Sequence, residues 1–287
     1  MTPKTKLGIK KVAIQGGYGA FHEIAAKNYF KNEEIEIITA NTFKDLFKSL
    51  KNNHADYGIM AIENSIAGSI LPNYILLQES NMKIIGEIYL RINQNLAALP
   101  GTKIEDLEEV YSQPIAILQC QMFFDNYPHI KLIDSIDTAL CAKEIAENKI
   151  KNRGAICSKL AAEKYGLEII AEGIETNKMN YTRFLILSEK IGYHRTEKAI
   201  DKASLSFALK HETGSLSKVL SILSYYGINL TKIQSMPIIG KDWEYQFYVD
   251  VMFTDYVMYR QSLDAIRPFT SRLEIMGEYV KGETIME

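Results

Sequence analysis

Short apolar runs alternate with stretches of helical periodicity along most of the chain, the rhythm of an α/β protein. Residues 11–15 predict a strand that leads through Val12-Ala13-Ile14 into the glycine loop Gly16-Gly17-Tyr18-Gly19, with a helix over 22–30 behind it. The same strand-to-helix switch then recurs. Strands are expected at 35–40, 57–62, 83–90, 95–99 and 109–112, and helices from Phe43, through Tyr74 to Leu77, and over 115–124, with a short acidic helix at 104–108. Further strands at 131–134, 153–157 and 167–171 alternate with helices at 135–148 and 159–165, the second stopped by Gly166. Leu185-Ile186-Leu187 is too short for a helix and reads as a buried strand, with Asn180-Tyr181-Thr182-Arg183-Phe184 held at its mouth.

Residues 189–203 are charged and weakly periodic, and read as a linker between a first domain over 10–188 and a second over 204–281. Beyond it come a strand at 205–210, a helix at 216–226, strands at 228–235 and 244–253, a helix at 257–266 and a strand at 273–279. That βαββαβ order predicts a ferredoxin-like sheet covered by helices on one face.

Polar residues cluster where strands hand over to helices. Thr42 is placed either to cap a helix or to offer its hydroxyl to a ligand. Glu63-Asn64-Ser65 ends an apolar strand abruptly, and Asn64 or Ser65 is there a helix cap or a ligand group at a strand C-terminus. Ser112 ends a third strand just before Pro114, and Gln119 shares a helix face with Ile115. For these two, a cap and a solvated helix residue are the plain alternatives. The glycine loop can cradle an anion with its N–H groups, but His22 stands where a dinucleotide fingerprint needs its third glycine. A Rossmann cofactor site is therefore set aside.

Composition narrows the partners. At 287 residues the chain has room for two domains, and a net charge of −2 supplies no basic field for nucleic acid. Any anion must be recognised locally. Cys120, Cys141 and Cys157 have no paired spacing, so neither a disulfide framework nor a zinc knuckle is expected, and buried thiols in a reducing cytosol are. The five histidines are scattered, so neither a metal nor a cofactor is called for. No apolar run approaches the length of a membrane span, and the basic N-terminus lacks the apolar core of a signal peptide.

Four stretches resemble one family in order and spacing. Asp56–Ser65 with Ala67-Gly68, Val110-Tyr111-Ser112-Gln113-Pro114 with Gln119-Cys120, and Asn180–Phe184 resemble prephenate dehydratase. Gly227-Ile228-Asn229-Leu230 to Ser235, with Trp243-Glu244-Tyr245, resembles that family's C-terminal ACT domain. There are departures. Gly17, Ala20 and His22 replace the Pro, Thr and Ser of the family's first loop, and Gln113 stands in place of a usual His. Gln234-Ser235-Met236-Pro237 replaces Glu-Ser-Arg-Pro, losing two charges. The dehydratase-like region starts almost at the first residue of this sequence, so a fused chorismate mutase is not expected.

The resemblance implies a two-lobed catalytic domain of the type II periplasmic-binding-protein fold, joined to the ferredoxin-like ACT domain. It implies that prephenate loses its ring carboxylate as CO2 and its ring hydroxyl as water, giving phenylpyruvate. Thr182, Asn64, Ser112 and Gln119 match the family's catalytic positions, with Ser65, Gly68 and Thr42 beside the substrate. Neutral donors suit a ring carboxylate that must depart, whereas the surviving side-chain carboxylate asks for a cation or a helix start, assigned to Arg183 and the helix N-termini. Phe184 is either a core residue or a surface on which the ring stacks. Phenylalanine is the implied allosteric ligand at Gly214, Ser215, Leu216, Asn229, Gln234, Ser235, Met236 and Pro237, in a cytoplasmic homodimer or homotetramer. Two rivals remain: arogenate dehydratase, the same chemistry on an amino side chain, and a non-catalytic amino-acid sensor.

Overall fold

The computed structural model describes residues 9–189, 199–238, 240–241 and 244–286. Most of the predicted linker lies outside the described residues, as do the N-terminal eight residues, Ile239 and Trp243. Two compact units form: one takes the residues up to Asn81, Ile88–Ile186 and those from Glu283, the other Met82–Glu87 and Leu187–Gly282.

In chain order the elements are β1 (Lys10–Gln15), α1 (Phe21–Tyr29), β2 (Ile35–Ala40), α2 (Phe43–Lys51), β3 (Tyr57–Asn64), β4 (Gly68–Ser69), α3 (Leu71–Glu79) and β5 (Lys83–Arg91). Next come β6 (Asn95–Ala98), β7 (Glu109–Ser112), α4 (Pro114–Phe124), β8 (Lys131–Asp134), α5 (Thr138–Asn148), β9 (Arg153–Cys157), α6 (Lys159–Tyr165), β10 (Glu168–Ala171) and β11 (Tyr181–Ser188). The rest are β12 (Lys202–Leu209), α7 (Ser215–Tyr225), β13 (Asn229–Pro237), β14 (Tyr245–Met252), α8 (Tyr256–Ile266), β15 (Ser271–Tyr279) and β16 (Thr284–Ile285).

The first unit carries two sheets on one plan. The orders are β16-β5-β11-β3-β1-β2 and β10-β6-β9-β7-β8, with β1 parallel to β2 and β3, and β7 parallel to β8 and β9. Each sheet also receives one strand from across the cleft: β11 enters the first, and β6 enters the second. The chain thus crosses between lobes twice, which is the type II periplasmic-binding-protein arrangement. The crossings are tied together, Ile92 N–H donating to Asn180 O and Ile174 N–H to Gln94 O, both at 2.7 Å. β1 and β3 read as unbroken apolar runs because both faces are covered; Val12, Ala13, Ile14, Ile59 and Met60 are fully buried.

The second unit orders its strands β13-β14-β12-β15, every neighbour antiparallel, with α7 and α8 on one face. This is the expected ferredoxin-like sheet. Alternation along β12 sends Ala203, Leu205, Phe207 and Leu209 into the helix-side core, while Ser204 and Ser206 bond Asp250 and Gln246 on the other face.

Several boundaries differ from the sequence expectation. β12 starts at Lys202, inside the predicted linker, because Lys202 is not a solvated charge: its Nζ pairs with both carboxylate oxygens of the buried Glu87, at 2.8 and 2.9 Å. That pair, with Lys83 on Glu274, draws the first half of β5 into the second unit, so neither unit is contiguous in sequence. The acidic helix at 104–108 is a single 3-10 turn, Ile104–Asp106. β16, which pairs with the second half of β5, was not anticipated; two residues carry too little pattern.

Candidate active site

Within the first unit a cavity of about 460 Å³ opens at the C-terminal ends of the parallel strands. Strand ends gather there because each hands over to a helix whose first N–H groups point back towards the ligand. α1 and α4 both start at this cavity without a side-chain cap, Ala20 and Gln113 being their cap residues. In α4 the first helical position is Pro114, so the donors on offer are the N–H groups of Ile115 and Ala116.

An amide relay crosses the floor. Asn64 closes β3, and its Oδ1 accepts the N–H groups of Ile66 and Ala67 at 3.0 and 2.9 Å. This Asx turn folds the chain back through Gly68, whose φ of +79° a side chain would oppose, into β4; Asn64 therefore caps a hairpin turn rather than a helix. Its Nδ2 donates to Asn180 Oδ1 at 2.7 Å and to Thr182 Oγ1 at 3.0 Å. Asn180 in turn donates to Gln119 Oε1 at 2.9 Å. At both ends of the relay the side chain accepts a hydrogen bond and keeps its own donor unspent. Among the described residues, neither the Thr182 hydroxyl hydrogen nor the Gln119 amide hydrogens have an acceptor, and both side chains line the cavity.

One wall is aromatic. His22, Phe43 and Phe184 line it, with the His22 ring edge-on to Phe184 at 4.9 Å and to Phe43 at 5.5 Å. Ala61 N–H donates to His22 Nε2 at 3.3 Å, which puts the ring proton on Nδ1. Burial lowers the His22 pKa to about 3. The folded value lies below the unfolded one, so the unfolded chain takes up the proton first on acidification. The stability that neutral His22 contributes is fully present above about pH 6.5 and is lost as pH falls towards 3. Unfolding titrations with His22→Phe should show a shallower loss between those limits; an unchanged slope contradicts the assignment.

The predicted site residues divide. Thr182, Asn64, Gln119, Phe184 and Gly68 meet at the cavity. Arg183 does not. The pentapeptide is not a loop at a strand mouth, because β11 begins at Tyr181 and its side chains alternate. Thr182 and Phe184 face the cavity, while Arg183 is buried elsewhere, 4.0 Å from Glu63 and over the Tyr89 ring. Ser112 is fully buried and donates to Ile156 O at 2.8 Å, holding β7 to β9 and not lining the cavity. Ser65 is exposed and off the cavity lining, donating to Met179 O and accepting Tyr181 N–H. Thr42 caps α2, accepting Asp45 N–H at 3.1 Å, and stays off the cavity wall.

In the second unit, Gly214, Ser215 and Leu216 line a hollow of about 890 Å³ along α7. Asn229, Gln234, Ser235, Met236 and Pro237 lie on the edge strand β13, outside that hollow.

Two cavity residues, Gln94 and Asp137, and the fully buried Asn180 have roles that the local sequence pattern does not show. Asn180 opens the pentapeptide and joins Asn64 to Gln119. Gln94 is 3 % exposed, and among the described residues its Oε1 has no donor. Asp137 caps α5 and is 4 % exposed; the spacing from Asp137 into the helix start at Thr138 was a legible cap signal.

The fold and cavity define a two-lobed α/β enzyme-like unit with neutral donors at its floor. The model of the prephenate dehydratase family matches residues 12–191, and the chain belongs to that family. It is 37% identical to arogenate dehydratase 1 of Petunia hybrida, over 94% of this chain and 66% of that protein. It is 33% identical to the bifunctional chorismate mutase/prephenate dehydratase of Aquifex aeolicus, over 94% and 74%. The chain thus spans about two thirds to three quarters of these relatives' lengths. A prephenate dehydratase from Arthrobacter aurescens, solved in complex with L-Phe, has the same fold, with a TM-score of 0.84, 24% identity and coverage of 94% and 90%.

Proposed function

We propose that the chain aromatises prephenate or its side-chain amino form, arogenate. The ring carboxylate leaves as CO2, its bonding electrons complete the aromatic ring, and the ring hydroxyl departs and is protonated to water. Prephenate then gives phenylpyruvate, and arogenate gives phenylalanine.

The observation that carries this is the unspent hydroxyl hydrogen of Thr182. Oγ1 accepts from Asn64 Nδ2, which leaves the hydroxyl hydrogen free to donate into the cavity. A donor aimed where the leaving hydroxyl gathers negative charge stabilises the transition state more than the ground state. The side-chain carboxylate, which survives the reaction, falls to the open N–H groups of α4 rather than to Arg183. Among the described residues no Lys or Arg lines the cavity, so none of them holds the ring carboxylate against its loss. The His22-Phe43-Phe184 wall supplies the surface for the ring. The non-catalytic sensor loses ground here, since it has no use for a donor hydroxyl held in reserve.

We infer for the second unit the role of an ACT regulatory domain. Phenylalanine would bind through Gly214–Leu216, Asn229 and Gln234–Pro237, in a cytosolic homo-oligomer, and its binding would lower turnover in the first unit. The hollow at Gly214–Leu216 and the L-Phe complex of the like-folded Arthrobacter protein support this. Turnover measured with and without millimolar phenylalanine tests it. Suppression that Gly214→Val abolishes is expected; turnover indifferent to phenylalanine contradicts it.

A further inference from the structure

Among the described residues Asp137 is the one carboxylate on the cavity wall, and its placement is not that of an ordinary helix cap. Capping carboxylates usually face solvent, whereas Asp137 is 4 % exposed inside a ligand-sized cavity. Its partners are backbone N–H groups: Leu140 at 2.8 Å from its own helix, and Gly17 at 3.3 Å from the glycine loop, both on Oδ1. The loop comes this close because Gly16 has φ +98° and no side chain; a Cβ there would stand 2.3 Å from Asp137 Oδ2. Among the described residues no cation shares the cavity with it. Burial raises its pKa, with only backbone N–H groups acting in the other direction. A buried acid without a counter-charge is costly unless something brings one.

What lies beside it identifies that something. α4 and α5 start at the ends of the adjacent parallel strands β7 and β8. The two starts are joined directly, Gln113 Nε2 donating to Ile136 O at 2.8 Å, one residue before Asp137. The start of α4 at Ile115 and Ala116 thus lines the same cavity as the Asp137 carboxylate, an anion site and a cation site in one cavity. An α-keto acid side chain uses only the first. An α-amino acid side chain, a carboxylate and an ammonium on neighbouring atoms, uses both.

We propose that Asp137 pairs with a substrate α-ammonium group and makes the chain selective for the amino form of its substrate, arogenate, over the keto form, prephenate. This rests on the aromatising reaction inferred above and adds the residue that decides between its two substrates. A charge-assisted bond to a buried carboxylate is worth about ten- to a hundredfold in specificity. The same carboxylate offers the keto acid only another negative charge.

The test compares kcat/KM for arogenate and for prephenate in the full chain, and again in Asp137→Asn and Asp137→Ser. Both variants keep a capping oxygen for α5 and remove the charge, so the helix start survives. The expected result is a preference for arogenate in the unaltered chain. The ratio of the two kcat/KM values should fall by at least about tenfold in both variants, chiefly through KM for arogenate. A preference for prephenate, or a ratio that stays within about twofold in both variants, overturns the role of Asp137 and leaves the reaction standing. A folded chain that aromatises neither compound overturns the reaction itself, and the selectivity with it.

Discussion

Thr182→Ala lowers turnover on the order of a hundredfold or more and leaves the fold intact. The size follows from what the hydroxyl does. It sits at the end of the Asn64 relay, so its removal deletes the donor proposed for the leaving hydroxyl and one acceptor of Asn64 Nδ2, which keeps Asn180 Oδ1 and Tyr181 O as acceptors and so holds the fold. Deleting one preorganised donor to developing negative charge costs about 2.7–4 kcal/mol of transition-state stabilisation elsewhere, and the same order applies here. The loss should fall on kcat more than on KM, because the bond strengthens as charge develops. Thr182→Ser restores the donor and should recover most of the rate. Asn64→Ala removes the group that orients Thr182, and should also slow turnover. Steady-state kinetics with a circular dichroism check on folding measures all three. Near-normal kcat in Thr182→Ala would sink the assignment.

Lys202→Met should destabilise the second unit by about 3–5 kcal/mol. Lys202 is 2 % exposed, and its partner Glu87 is also 2 % exposed. The ammonium meets both carboxylate oxygens, and Gly282 N–H donates to Glu87 Oε1 at 3.1 Å. The single variant takes the Lys202 ammonium away from the buried Glu87 carboxylate. The double variant Lys202→Met with Glu87→Leu removes both charges, and should recover a large part of the loss. Denaturant unfolding of the three proteins provides the comparison. If the single and double variants lose stability equally, the cost is one of packing and not of a stranded charge.

Much of the fold was written in the hydrophobic pattern. Val12-Ala13-Ile14 and Tyr57–Ile62 read as strands because parallel strands covered on both faces are apolar without interruption. The βαββαβ order of the second unit was legible for a different reason: its helices are stopped by glycine and turn residues at regular spacing. Failures occurred where tertiary contacts overrode local pattern. Lys202 looked like a solvated linker charge, since nothing local announces a partner 115 residues away. Arg183 was misplaced although the information was present. Once residues 181–188 are a strand, the alternation that puts Thr182 and Phe184 in the cavity must put Arg183 outside it. Ser112 followed family resemblance into the active site, but its hydroxyl is held by Ile156 O. Asn180 and Asp137 were passed over because each has a bland local role, strand entrance and helix cap. Only the neighbours brought by folding reveal the other one.

Loss of CO2 and formation of the aromatic ring are coupled in the proposed reaction, one for one. Purified chain is mixed with prephenate and, separately, with arogenate, and CO2 and aromatic product are followed together. The expected result is one CO2 per aromatic ring formed, with both signals lost in parallel in Thr182→Ala. A folded chain that binds either compound yet releases no CO2, or one whose Thr182→Ala variant releases it at the unaltered rate, contradicts the mechanism built on that hydroxyl.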